Sequence, residues 1–131
     1  MKVVHILNFV FILLALIGVC VIEEIVVSGS LTAIQNSCFE IEEMIHDRDD
    51  VRDMDGVLAV DNLEYDWNKD ESKLCFMENH KNIQEIGQEI SKIKLYIADN
   101  DVAGIRVSLS TIRMYCHGYM HFMGANLHNV L

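Results

Sequence analysis

The chain has 131 residues with 20 Asp or Glu against 10 Lys or Arg, so its formal net charge is −10. A surface this acidic repels phosphate backbones, which argues against nucleic acid as a partner. Proline is absent and the seven glycines are scattered, a composition that favours helices joined by short turns.

The first feature in chain order is an uncharged apolar run from Val3 to Ile22. At about 1.5 Å per residue it reaches roughly the 30 Å of a bilayer's hydrocarbon core. Lys2 precedes the run and the acidic pair Glu23 and Glu24 follows it, and positive charge is retained on the cytoplasmic side. We therefore predict a single-pass membrane anchor in residues 1–27 and an extracytoplasmic domain in residues 28–131.

The same run has a second interpretation. Phe9 to Ile22 also fits the apolar core of a secretory signal, and Ser28 and Ser30 offer small side chains near which a signal peptidase could cut. The full length of the apolar run favours an anchor that is retained in the cell membrane. The alternative is a helical protein that is secreted after cleavage.

Beyond the anchor, apolar residues recur at steps of three and four, as they do on one face of an amphipathic helix. The four successive stripes are Leu31, Ile34, Cys38, Ile41 and Ile45; Val57, Val60, Leu63, Trp67, Leu74 and Met77; Ile83, Ile86, Ile90, Ile93 and Ile97; and Val102, Ile105, Leu109, Ile112, Cys116, Tyr119, Met123, Leu127 and Val130. Asp70 is the one polar gap in the second stripe. Four stripes that must cover one another predict an all-α protein, in which a transmembrane helix precedes a small antiparallel bundle of about four helices.

The connections between the stripes are polar. The segment from Asp47 to Gly56 is predicted to be a solvated turn followed by a helix start, and Asp99 to Asp101 to end one helix and cap the next. The sequence Ser28-Gly29-Ser30 is a weak helix breaker, which leaves open whether the anchor continues into the first stripe as one helix.

The second half of the chain resembles a known family. Trp67 and His80, the sequence Leu95-Tyr96-Ile97 followed by an acidic turn, and the closing stretch 126–131 are similar to the bacterial family called domain of unknown function 4363. The resemblance implies a short chain with an amino-terminal hydrophobic segment and an all-helical remainder in the bacterial envelope. It implies no catalytic residue.

Trp67 and His80 are also candidates for partner binding. An exposed tryptophan is enriched at the energetic centres of protein interfaces. The competing interpretation places Trp67 in the core and makes His80 part of a helix joint. Exposure of the two side chains decides between these interpretations.

The last helix carries the one group of side chains in the sequence that suggests metal binding. His117 and His121 are four residues apart and could share a metal ion, with His128 further along the same face and Cys116, Met120 and Met123 as sulfur ligands nearby. The competing interpretation is a polar face at the rim of the bundle. His128 is two turns from His121, too far to reach the same ion without bending.

The remaining residues predict no catalysis and no cofactor. Cys38, Cys75 and Cys116 are expected to be buried thiols, and two of them could form a bridge only where their helices align. No nucleophile, base and orienting group can be placed together. We therefore expect a non-catalytic interaction module that binds another membrane or envelope protein, with a metal-binding or metal-sensing envelope protein as the alternative.

Overall fold

The computed structural model describes residues 2–77 and 80–128, and among these it leaves undescribed the side chains of residues 2, 76, 77, 80 and 122–128. It contains four helices: α1 (Lys2–His46), α2 (Met54–Met77), α3 (His80–Ala98) and α4 (Val102–His128). Within the described residues there is no strand. The prediction of an all-α fold with four helices is confirmed.

Helix α1 is continuous over 45 residues, from the apolar run to the end of the first stripe. Gly29 lies within it, and a Cβ atom added there would meet nothing within 4 Å. The weak breaker at residues 28–30 therefore does not interrupt the helix. A helix of this length spans about 68 Å at 1.5 Å per residue.

The four helices form a closed ring, in which each packs against its neighbour in sequence and α4 packs against α1. The core is lined by the predicted stripes, and all five isoleucines from Ile83 to Ile97 are at most 4% exposed. One prediction is wrong: Val57, placed in the second stripe, is 44% exposed. Val57 lies in the first turn of α2, where an open groove separates it from Lys94, Ile97 and Ala98 of α3. The predicted stripe residues Met77, Met123, Leu127 and Val130 lie outside the described side chains.

The turns are capped as the sequence predicts. Asp101 Oδ1 accepts a hydrogen bond from Gly104 N (2.9 Å) at the start of α4, and Asp53 Oδ1 accepts one from Gly56 N (2.8 Å) at the start of α2. The first turn is less solvated than predicted, because Val51 is completely buried. Its burial fixes the loop against the bundle.

Asn100 joins the two loops at this end of the bundle. Its φ of 56° is left-handed, a conformation that asparagine tolerates better than most residues. Its Oδ1 accepts from Val51 N (2.9 Å) and its Nδ2 donates to Asp49 O (3.1 Å). The loop between α1 and α2 is thereby tied to the turn between α3 and α4.

Two polar pairs fix the register of neighbouring helices. Ser30 Oγ donates to Asp70 Oδ2 (2.8 Å), which explains the polar gap in the second stripe. Ser108 Oγ donates to Glu89 Oε2 (2.8 Å) across α3 and α4, where Ser108 and Glu89 are both buried. Such pairs penalise a shifted register, because a shift would leave a buried polar group without its partner.

The bundle covers only the second half of α1. Asp70 lies opposite Ser30, so the end of α2 at Met77 reaches the level of about residue 23 of α1. Thr32 Oγ1 meets Met120 Sδ (3.7 Å), so the end of α4 at His128 reaches about the same level. The packed part of α1 therefore begins where the uncharged run ends.

Candidate functional site

The amino-terminal half of α1 is an apolar surface that no other described part of the chain covers. Its side chains are exposed, including Phe9 at 67% and Phe11 at 73%. It is the one described helix long and apolar enough to cross a membrane. The core helix of a soluble protein would be mostly buried, so the exposure of this segment distinguishes it from a core helix. The segment is a candidate membrane span or signal anchor.

A groove lies at the opposite end of the bundle, between the start of α2 and the end of α3. We call it the distal groove; it has a volume of about 290 Å³ and is lined by Arg52, Val57, Val60, Asp61, Lys94, Ile97 and Ala98. Leu58, next to the groove residue Val57, is 55% exposed. The volume of the groove is at the lower end of the roughly 300–1,000 Å³ that small-molecule sites usually occupy. An open apolar groove of this size also accommodates one or two apolar side chains of a protein partner.

The charged groups beside the groove are already paired within the chain. Arg52 binds Asp50 through Nε (2.9 Å) and Nη2 (2.8 Å), and these hydrogen bonds lower the pKa of the Asp50 carboxyl to about 2. Lys94 Nζ contacts Glu64 Oε2 (2.6 Å) and Asp61 Oδ1 (3.1 Å), which raises the pKa of the ammonium group. Since the charges of Arg52 and Lys94 are paired within the chain, a ligand in the groove would mainly contact its apolar floor.

The structure places Trp67 in the core. Its side chain is 3% exposed, and a Cβ atom on Gly87 would lie 3.0 Å from the indole Nε1. The burial of Trp67 agrees with the interpretation that places it in the core. Gly87 on α3 has no side chain and so allows the indole to approach the helix backbone. The side chain of His80 lies outside the described side chains.

His117 and His121 are brought together on the outer surface of α4. Both side chains are exposed, and their rings stack with centroids 6.4 Å apart and planes inclined by 8°. Among the described side chains, no group of three His, Cys, Asp or Glu is arranged to hold a metal ion. Cys116 points into the core, Met120 contacts Thr32 of α1, and His128 and Met123 lie outside the described side chains.

The four cysteines are free thiols in different surroundings. Cys20 is exposed on the apolar segment, Cys75 is half-buried on α2, and Cys38 and Cys116 are fully buried. Burial raises the pKa of the Cys38 and Cys116 thiols to about 12. The expectation of buried thiols is confirmed for Cys38 and Cys116.

The fold and its surfaces define a class: an all-α bundle whose first helix extends beyond it as an exposed apolar segment. Residues 29–130, the part of the chain that forms the bundle, match the family described as Domain of unknown function (DUF4363), and the chain belongs to that family. The resemblance seen in the sequence is thereby confirmed. Neither a curated protein nor a solved structure matches the chain.

Proposed function

We propose that the protein is a single-pass membrane protein whose bundle lies outside the cytoplasm and binds another membrane or envelope protein without catalysing a reaction. The observation that supports this most directly is the division of α1. Its apolar half is exposed and its other half is packed, and the change occurs at the acidic pair Glu23 and Glu24. A bilayer would cover the apolar half and would end where the bundle begins.

The continuity of α1 supports a positional role for the anchor. With no linker between apolar segment and bundle, the base of the bundle would lie at the membrane surface and the distal groove at its far end. A rigid helix presents such a groove at a fixed distance from the membrane, roughly 35 Å for the 24 residues of α1 beyond Ile22. A partner with an envelope domain at that height could reach it.

The distal groove is the proposed contact surface. Its floor is apolar, Val57 and Leu58 are exposed beside it, and its rim charges are paired within the chain. Exposed apolar residues rimmed by polar ones mark protein interaction sites more often than bare polar surfaces do. The acidic composition supports a protein partner over nucleic acid.

A photo-crosslinking amino acid placed at Leu58 of the full-length protein in cells tests this contact. We expect one discrete adduct with a membrane or envelope protein. The matched control is the same amino acid at Ser72, which is exposed on the same helix about four turns away. We expect no such adduct from Ser72.

The substitution Val57→Asp supplies the second control, because it introduces a charge into the groove at a residue that is already 44% exposed. We expect it to abolish the Leu58 adduct while the helix content is retained. An adduct that survives Val57→Asp, or that forms equally from Ser72, would contradict the proposed surface.

The stacked pair His117 and His121 supports a second candidate, metal binding on the outer face of α4. We propose it as the alternative, since two imidazoles four residues apart can share one ion but need further ligands to hold it tightly. Tag-free full-length protein in detergent should show no rise in melting temperature with micromolar zinc, nickel or copper. A rise of several degrees with one metal, lost in the His117→Ala/His121→Ala variant, would place metal binding first.

A further inference from the structure

Cys38 and Cys116 are facing members of the packed interface between α1 and α4. Both are fully buried in the same core cluster. Contacts on either side of them fix the register of the two helices. Thr32 Oγ1 meets Met120 Sδ (3.7 Å) on one side, and Glu42 Oε2 meets Arg113 Nη1 (2.5 Å) on the other.

The register places the two sulfur atoms at one level of the bundle. Cys38 lies between Thr32 and Glu42 on α1, and Cys116 lies between Arg113 and Met120 on the antiparallel α4. A third contact, from Gln35 Nε2 to the carbonyl oxygen of Arg113 (3.4 Å), is consistent with this register. A disulfide requires a Cα separation of roughly 4.4–6.8 Å. Inward-facing residues at one level of two helices whose axes are roughly 8–10 Å apart can reach that separation.

We propose that Cys38 and Cys116 form an intramolecular structural disulfide between α1 and α4 when a disulfide donor is present during folding. The described structure is the dithiol form. The inference that this occurs in the cell rests on the proposed extracytoplasmic location, where disulfides persist. Cys75 and Cys20 take no part, because Cys75 lies on α2 and Cys20 lies in the apolar segment.

The reaction is thiol–disulfide exchange and requires no metal. The thiolate of one cysteine attacks the donor disulfide, forming a mixed disulfide and releasing one donor thiol. The thiolate of the second cysteine then attacks the protein sulfur of that mixed disulfide and releases the second donor thiol. Two protein thiols are oxidised and one donor disulfide is reduced to two thiols, so the protons and electrons balance.

Burial determines when this can happen. The thiols have a pKa of about 12, so the folded protein holds almost no thiolate near neutral pH. We expect the bond to form while the chain folds, before the core closes over both sulfur atoms. Once formed, it would be shielded from reductants by the same packing, and it would join the anchor helix to the last helix.

The test uses full-length protein in detergent that is reduced, unfolded and refolded with oxidised glutathione. We expect peptide mapping to recover a Cys38–Cys116 linkage. Maleimide labelling of the acid-quenched, denatured protein should detect two free thiols, rising to four after reduction with dithiothreitol, and denaturation exposes both buried cysteines to the label. The Cys38→Ala and Cys116→Ala variants should each leave three free thiols. The oxidised protein should melt several degrees above the reduced protein.

Four free thiols in refolded protein with native helix content would overturn the proposal, as would a linkage of Cys38 to Cys75 instead. Labelling of acid-quenched cells separates this result from the proposed location. If the refolded protein forms the Cys38–Cys116 bond but the cellular protein has four free thiols, the pair is confirmed and the extracytoplasmic location is contradicted.

Discussion

Ile90 and Gln88 lie two residues apart on α3 and provide a direct test of the packed seam. Ile90 is 1% exposed and Gln88 is exposed on the outer face. Ile90→Asp places a carboxylate among aliphatic side chains and should lower the free energy of unfolding by about 3 kcal/mol or more, whereas Gln88→Asp should change it by well under about 1 kcal/mol. Denaturant melts of the full-length variants measure both, and equal small effects would show that the seam is not packed.

The buried pair Glu89 and Ser108 provides a second test at single residues. Ser108→Ala removes the hydroxyl that donates to the Glu89 carboxylate and should cost about 1–3 kcal/mol, because the carboxylate stays buried. Ser110→Ala is the matched control, since Ser110 is exposed on the same helix, and it should change the stability by less than about 0.5 kcal/mol. If both variants lost a similar amount of stability, the hydrogen bond between Ser108 and Glu89 would have no specific stabilising role.

The hydrogen bonds of Asp70 make the stability of the fold dependent on pH. Its hydrogen bond from Lys73 lowers the pKa of the carboxyl below the usual value, with a further contribution from Ser30, while partial burial opposes the shift. A pKa lower in the folded state stabilises the fold above the unfolded value of about 3.9, and this stabilisation is lost as the pH falls through the folded pKa. The stability difference between the wild type and Asp70→Asn should therefore shrink below about pH 4 in melts from pH 6 to 3. A difference that stays constant over that range would contradict the assignment.

Two glycines of α4 test how the last helix packs. Gly118 has open space around it, whereas a Cβ atom on Gly104 would lie 2.7 Å from Tyr96 Cδ1 and 2.6 Å from Asp101 Oδ2. Gly118→Ala should raise the free energy of unfolding by about 0.5–1 kcal/mol through lower backbone entropy. Gly104→Ala should lower it by about 1 kcal/mol or more, because the ring of Tyr96 must move. Thermal melts that rank the two variants in the opposite order would contradict the packing of α3 on α4.

At the level of helices, the sequence predicts most of what the structure contains. The isoleucine stripe, the end of α1 at His46 and the cap at Asp101 follow from spacing and from residue type, which act locally. Val57 shows where this reasoning ends, because periodicity says which face is apolar and not how closely the neighbouring helix packs against it. The continuity of α1 does not follow from the sequence either, because Ser28-Gly29-Ser30 is a weak breaker that a helix can include or end at.

The candidate surfaces were harder to predict than the helices. The distal groove depends on the spacing between the start of α2 and the end of α3. The alignment of Cys38 with Cys116 depends on the register of two helices that are far apart in sequence. Asp70 did carry a signal, as a polar residue within an apolar stripe that needs a partner. Its partner, Ser30, lies 40 residues away and could not be read from spacing.

For the whole molecule, we propose that the apolar half of α1 remains attached as a membrane anchor. The bundle ends at the level of Glu23, and the preceding residues from Val3 to Ile22 have no cover within the described chain. Large exposed apolar surfaces mark membrane or protein interaction sites. The length and apolar character of this segment match those of a membrane span.

Amino-terminal sequencing of the mature protein recovered from cells tests that claim most directly. We predict that the protein is found in the membrane fraction and that its sequence still contains Val3 to Ile22. A mature terminus at Gly29 or Leu31, with the protein in the medium, would contradict the account and leave a secreted helical bundle.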